Sequence, residues 1–369
     1  MALPTLHRLT IAEVRTEAAD AMSVRLAIPA PLLEAFAFNA GQFLTLEAAV
    51  GGEVLRRSYS ICSSPSEYHA NATLRVGIRR VLGGRFSNWA HDHLRAGSEV
   101  NVLTPDGRFG IELASTTRRC YLGIAGGSGI TPMLSLIKTA LECEPESRFT
   151  LVYGNRTVSS IMFLEEIEGL KNRWMDRLSI FYVLSEETTD IELLTGLLDR
   201  TRIARLCGRA IHVPGLDCAF VCGPAPMMEA AEDALVHAGL VRSRIRIERF
   251  GSPGVPTGAQ VSARSDARRA AACAAPGARV TVIIGGKARP ITVPFEGASI
   301  LDTAMAAGIG LPYACKAGVC CTCRARVLEG EVIMDKQYSL EQHELDAGFV
   351  LSCQSHPVTP EVRLSFDDR

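Results

Sequence analysis

Cys315, Cys320 and Cys323 stand in a C-x4-C-x2-C spacing, and Cys353 follows later in the chain. No other feature of the sequence limits the fold as strongly. A loop that supplies three sulfurs within nine residues must wrap tightly, and a distant segment must return to it. Gly318 and the small Ala317 let backbone amides approach the centre of such a loop. Three chemistries compete for these thiols. Structural zinc usually takes paired cysteine arms, and here the distal arm is a single residue. Disulfides need an oxidising compartment, and nothing in the sequence suggests export. A [2Fe–2S] cluster takes four thiolates in this spacing, with the fourth ligand returning from afar. The adjacent Cys321 falls outside the pattern and reads as a non-ligand.

The surroundings of the loop agree with a ferredoxin of the plant type, which the spacing resembles. Ser299 is placed to cap a short helix over 300–307, and Gly308 and Gly310 stop that helix before the loop. A hairpin is expected over 279–285 and 288–294, with a strand at 324–329 and a ligand segment at 351–353. Glu329, Glu331, Asp335, Glu341, Glu344 and Asp346 lie near the loop in sequence. They read equally as a solvated face or as a docking surface for a partner.

A chain of 369 residues predicts two or three domains. Lys and Arg total 39 against 40 Asp and Glu, so the net charge of −1 provides no global attraction to nucleic acid or anionic membrane. The first ten residues lack the apolar core of a signal peptide, and no apolar run approaches a bilayer span of about 20 residues. Twelve cysteines in such a chain suit a reducing cytoplasm and a metal site.

Residues 1–115 read as short strands (9–15, 22–28, 42–47, 53–61, 73–79 and 99–103) interrupted by one helix over 86–94. That pattern predicts an antiparallel β-barrel, which removes exposed sheet edges. Three strings stand out here: Arg57-Ser58-Tyr59-Ser60 at a strand end, Gly83-Gly84-Arg85-Phe86-Ser87 before the helix, and Pro105-Asp106-Gly107-Arg108-Phe109-Gly110 in a turn. Singly each has a plain explanation as a chance string or an ordinary turn. From 116 to 250 the pattern changes to alternating strands and helices, the mark of an α/β parallel sheet that binds nucleotides at its C-terminal strand ends. The first strand runs into Gly127-Ser128-Gly129-Ile130-Thr131-Pro132, where bare amides could meet a pyrophosphate. Arg156 follows the second strand with no acidic residue beside it. It could hold a 2′-phosphate, or it could be an unselective surface arginine. Cys222-Gly223-Pro224 lies at a later strand-to-helix turn. Residues 251–277 form a linker rich in Gly, Pro, Ser, Ala and Arg, either a coil or a surface helix over 262–275. Residues 278–369 form an α+β (β-grasp) ferredoxin domain.

In this order the motifs resemble the ferredoxin–NADP reductase family, and the domain succession is similar to that of reductase components of bacterial multicomponent oxygenases. The resemblance implies specific roles. Arg57 would contact the FAD pyrophosphate, Tyr59 would lie against the flavin, and Ser60 would sit near its reactive nitrogen. Gly84, Arg85, Phe86 and Ser87 would cradle phosphate, and Phe250 would cover the flavin. Gly127, Ser128, Gly129, Thr131 and Pro132 would hold a nicotinamide dinucleotide, NADPH being expected from Arg156 and NADH possible. Cys222, with Gly223 and Pro224, would lie beside the nicotinamide. Cys315, Cys320, Cys323 and Cys353 would hold the [2Fe–2S] cluster. The implied activity is an electron relay from nicotinamide through FAD and cluster to an oxygenase component with a di-iron centre. Within that class the strings around Arg57, Gly84, Tyr153 and Cys315 are most similar to reductases serving phenylacetyl-CoA epoxidation. Steroid hydroxylase and aromatic-ring dioxygenase reductases share the domain order. A non-enzymatic iron–sulfur carrier or redox sensor would keep the cluster without needing both nucleotide motifs.

Overall fold

The structure is a computed structural model that describes residues 5–251 and 277–368. The linker and the possible helix over 262–275 therefore lie almost entirely outside the described residues. The chain divides into two compact units, the first Thr5–Arg249 and the second beginning at Phe250.

The first unit opens with β1 (Leu6–Ala18), β2 (Ala21–Ala27), β3 (Phe43–Val50), β4 (Glu53–Ser60), α1 (Pro65–Asn71), β5 (Thr73–Arg79), α2 (Arg85–His93) and β6 (Glu99–Asp106). The six strands form one antiparallel sheet in the order β4-β3-β6-β1-β2-β5, and a bridge between Ile61 and Val76 brings its two edges together. Inward-facing Leu26, Leu44, Leu46, Val76, Ile78 and Val102 are completely buried. This is the expected barrel. The helix α1 was not apparent from periodicity because it is short; a capping box between Ser64 and Glu67 starts it.

There follow β7 (Cys120–Gly126), α3 (Ile130–Cys143), β8 (Arg148–Asn155), α4 (Leu164–Arg173), β9 (Leu178–Leu184), α5 (Arg200–Arg209), β10 (Cys218–Cys222), α6 (Ala225–His237) and β11 (Ile245–Glu248). They build a five-stranded parallel sheet, β11-β10-β7-β8-β9. Apolar runs such as Tyr121–Ala125 are buried because helices cover both faces. α5 is hidden in the sequence: only Ile203 and Leu206 are buried among its arginines, a stripe too narrow to read as a helical period.

A buried charge network joins the barrel to this sheet. Lys138 of α3 is only 2% exposed, and its Nζ donates to Glu67 at 2.7 Å and to Glu166 of α4 at 3.0 Å. Arg75 of β5 donates to both oxygens of Glu166. Burial opposes ionisation of Glu166, yet Lys138 and Arg75 together hold its pKa below the usual value.

In the second unit β12 (Ala278–Ile284) and β13 (Lys287–Val293) form the expected hairpin, followed by α7 (Ile300–Ala306), β14 (Arg324–Glu329), β15 (Val332–Met334), α8 (Gln342–Asp346), β16 (Phe349–Leu351), β17 (Ser355–Pro357) and β18 (Glu361–Ser365). The main sheet runs β13-β12-β18-β14-β16, with β12 and β18 parallel. The strand at the end of the chain, unread in the sequence, thus lies at the centre of this sheet. Ser299 caps α7 as expected, accepting from the Asp302 amide at 3.1 Å.

Replacing Lys138 with Met would leave Glu67 and Glu166 facing each other with Arg75 alone to compensate. The expected loss is about 2–4 kcal/mol, the lower part of the range for a broken buried pair because Glu67 is partly exposed. Urea denaturation of Lys138→Met should show it, and adding Glu166→Gln should restore part of the stability.

Candidate active site

The C-terminal edge of the parallel sheet gathers most of the expected residues. β7 runs through Gly126 into a single tight turn, Gly127–Gly129, and then directly into α3. The helix therefore begins at Ile130, inside the string that carries the glycines. No side chain caps α3, and the Ile130 amide donates to the Gly127 and Ser128 carbonyls within the turn. Gly129 is required by packing: a β-carbon there would fall 2.0 Å from the Cys222 carbonyl oxygen. The glycine turn and the Cys222-Gly223-Pro224 turn thus lie against each other. Thr131 donates from Oγ1 to the Ser128 carbonyl at 3.0 Å, and the Tyr153 hydroxyl donates to the Gly127 carbonyl at 2.9 Å. Pro132 is buried in the first turn of α3. Arg156 follows β8 with its side chain 60% exposed, 3.3 Å from Asp20.

Cys222 and Glu248 are register partners on β10 and β11. Ser60, at the end of barrel strand β4, donates from Oγ to Glu248 Oε2 at 2.9 Å. Three strand ends therefore converge on Glu248, which is half-buried between buried Ser60 and buried Cys222. Burial pushes the Glu248 carboxyl up to about 7, with the Ser60 hydrogen bond opposing. Burial, then the nearby Glu248 charge, pushes the Cys222 thiol well above its ordinary value. Both shifts act in one direction, keeping the Cys222 thiol from ionising and making the Glu248 carboxyl easier to protonate. Glu248 was not singled out in the sequence. Its only signal there was a carboxylate beginning the Glu248-Arg249-Phe250 string.

On the barrel, Tyr59 lies against Phe86 with ring centroids 6.0 Å apart, which puts Arg57 and Tyr59 near the start of α2. Gly84 is the N-cap of α2, and no side chain caps that helix either. Arg85 and Phe86 do not present side chains for phosphate. Arg85 pairs with Glu53 at 2.6 Å, and Phe86 is buried in the barrel core. The Ser87 hydroxyl accepts from the Val81 amide at 3.1 Å, bracing the loop. The Gly84 amide is itself tied back to the Val81 carbonyl at 2.8 Å, and the positive end of α2 lies at this loop. Phe250 opens the second unit and is exposed. A cavity of about 640 Å³ lined by Arg15, Glu17, Arg75, Phe163 and Glu166 lies along the Lys138 network, where Arg15 pairs with Glu165 and Arg75 with Glu166.

In the second unit the cysteine sulfurs come as two pairs. Cys315 and Cys320 shift each other's titration, and Cys353 shifts that of Cys323, so the sulfurs of each pair are close neighbours. The contact with Cys320 lowers the Cys315 pKa despite burial, and the amides of Ala317, Val319 and Cys320 add to the effect. Among the described residues no three His, Cys, Asp or Glu side chains form a group for a single metal ion. Two thiol pairs suit a dinuclear cluster, in which sulfides complete each iron. The Cys321 thiol turns instead to Ser339, 3.1 Å from its carbonyl oxygen. The loop uses positive φ at Lys316, Gly318 and Cys321, and Lys316 ties it to α7 through Asp302 at 2.7 Å. Of the acidic residues considered as a docking face, Glu344 is buried and paired with Arg324, and Asp335 Oδ2 accepts from His356 Nε2 at 3.0 Å. Those two are structural.

Residues 8–111 match the oxidoreductase FAD-binding domain family, 124–233 the oxidoreductase NAD-binding domain, and 282–358 the 2Fe-2S iron-sulfur cluster binding domain. The chain belongs to the reductase components of multicomponent oxygenases, oxidoreductases that combine these three modules. It is 44% identical over 365 residues to a component protein of 1,2-phenylacetyl-CoA epoxidase from Escherichia coli (strain K12), covering 99% of each chain. It is 34% identical to the ferredoxin reductase component of 3-ketosteroid-9-alpha-monooxygenase from Rhodococcus rhodochrous, over 97% of this chain and 96% of the relative. Phthalate dioxygenase reductase shares the fold with a TM-score of 0.58 at 23% identity, covering 98% of both chains. No helix among the described residues is long and apolar enough to cross a membrane.

The Glu248 carboxyl makes stability depend on pH with a definite sign. Between about 4.5 and 7 the folded chain holds a proton that the unfolded chain has released, so stability falls as pH rises through that window. Melting temperatures of Glu248→Gln, followed from pH 5 to pH 8, should lack this decline.

Proposed function

We propose that this chain is the electron-input component of an oxygenase acting on phenylacetyl-CoA, carrying electrons from NADPH to a partner with a di-iron centre. What supports this reading most is the 44% identity extending over 99% of both chains with the epoxidase component, against 34% for the steroid monooxygenase reductase. FAD accepts electrons as a pair and releases them singly to the one-electron cluster, which is the chemistry nicotinamide alone lacks.

The chain's own residues have the following parts. Arg57 and the amides of Gly84, Arg85, Phe86 and Ser87 hold the FAD phosphates, and Tyr59 and Phe250 lie against the flavin ring. The amides of Gly127, Ser128 and Gly129, with Thr131 and Pro132 shaping the first turn of α3, bind the dinucleotide pyrophosphate. Arg156 meets the 2′-phosphate of NADPH; NADH, without that phosphate, is the second coenzyme. Cys222, with Gly223 and Pro224, borders the nicotinamide as an uncharged thiol that excludes water. Ser60 and Glu248 hold a hydrogen bond and one exchangeable proton beside the reacting rings. Cys315, Cys320, Cys323 and Cys353 would hold the [2Fe–2S] cluster through their thiolates. The thiol-rich composition favours the cytoplasm as its compartment.

The second reading is a reductase for a steroid monooxygenase, favoured by the relatives at 34% identity. Coupling assays with purified oxygenase components separate the two. NADPH oxidation should yield epoxide from phenylacetyl-CoA with the di-iron oxygenase. Turnover with a steroid oxygenase alone would establish the second reading in its place.

Cys320→Ser should remove the visible absorbance of the cluster while NADPH still bleaches the flavin under anaerobic conditions. A full cluster spectrum in that variant would overturn the ligand set.

A further inference from the structure

The adenosine end of the nucleotide site holds a carboxylate that takes no part in the relay itself. Asp20 lies in the tight turn between β1 and β2, and its carbonyl accepts from the Arg80 amide at 2.7 Å. Its Oδ1 is 3.3 Å from Arg79 Nε, and its Oδ2 is 3.3 Å from Arg156 Nη2. Arg79 is fixed from its other end, where Nη2 donates to the Ser160 carbonyl. Its Nη1 stands 3.0 Å from where a β-carbon on Gly127 would be, so this guanidinium touches the glycine turn. One carboxylate therefore bridges an arginine at the pyrophosphate turn and an arginine at the expected 2′-phosphate position. A second carboxylate borders the same corner. Glu187 Oε2 accepts from the Val158 amide at 3.2 Å, and the neighbouring Glu186 amide donates to the Arg156 carbonyl at 2.8 Å.

The acidic residue that selects for an unphosphorylated ribose is missing after β8 in the sequence, but the fold brings one there from a turn 136 residues away. A 2′-phosphate approaching Arg156 must share the guanidinium with Asp20 and meets its negative charge. A 2′-hydroxyl meets no such opposition and can donate to the carboxylate. We propose that Asp20 sets the coenzyme preference: by pairing with Arg156 it offsets the affinity for a 2′-phosphate, so that the site accepts NADH as well as NADPH. This rests on the reading of Arg156 as the 2′-phosphate residue.

The test is equilibrium binding by calorimetry, without turnover, of 2′,5′-ADP and 5′-AMP to the full-length flavin- and cluster-loaded protein and to Asp20→Asn and Arg156→Ala. Asp20→Asn should raise the affinity ratio of 2′,5′-ADP to 5′-AMP about five- to tenfold, the size of one charge contact at a half-exposed site. Arg156→Ala should lower the same ratio. If Arg156→Ala leaves the ratio unchanged, the Arg156 reading fails and the assignment of Asp20 falls with it. If Arg156→Ala lowers the ratio and Asp20→Asn does not raise it, the role of Asp20 alone is overturned. Asp20→Ser removes the same charge with a smaller side chain and decides the question if Asp20→Asn folds poorly.

Discussion

The hydrogen bond from Ser60 to Glu248 ties the end of a barrel strand to the C-terminal edge of the parallel sheet, and the chemistry of the first unit depends on it. That contact acts alongside the Arg79–Ser160 and Asp20–Arg156 contacts, which also cross from the barrel to the same edge of the sheet. With it, the strand that carries Arg57 and Tyr59 ends where β10 and β11 present Cys222 and Glu248. Desolvation pushes this carboxyl up to about 7, with the Ser60 hydrogen bond opposing. Perturbed titration of this kind is common where charge must be moved.

The barrel and the sheet are held in this relation by the charges around Lys138. Such networks are costly to desolvate and costly to break, and one that is fully paired fixes relative position better than apolar packing, which tolerates sliding. Glu67 serves twice, capping α1 and accepting from Lys138, so local helix geometry and inter-module geometry are set by the same side chain. The glycine turn leads into the same helix that carries Lys138.

The second unit solves a different problem. Its cysteines need amides around them and little flexibility, because small geometric changes alter how well a cluster is held. The loop meets this through positive φ at three positions, the Lys316–Asp302 pair, and the Ser352 hydroxyl and amide that both donate to the Cys323 carbonyl. Cys321 forms part of that support, since its thiol is directed to Ser339 and away from the two sulfur pairs.

Motifs carried on one continuous stretch were legible in the sequence because their chemistry is local. The cysteine spacing, the glycine turn before α3, the Arg57–Ser60 string and the cap at Ser299 each work through backbone amides or neighbouring side chains. The alternation of strands and helices likewise follows from local hydrophobic period and turn residues. What stayed hidden were pairings between residues far apart in the chain. Glu248 reads as an ordinary edge-strand carboxylate until Ser60 and Cys222 close around it. Glu344 reads as a surface charge until Arg324 buries with it. Asp20 belongs to an ordinary turn until β5 and β8 bring two arginines to its oxygens. By itself the sequence determined the three modules and the ligand types each can hold, because those depend on short-range spacing. Only the tertiary structure decided which charges are buried, which are paired and which pKa values move, because those depend on what other segments bring to the same few ångströms.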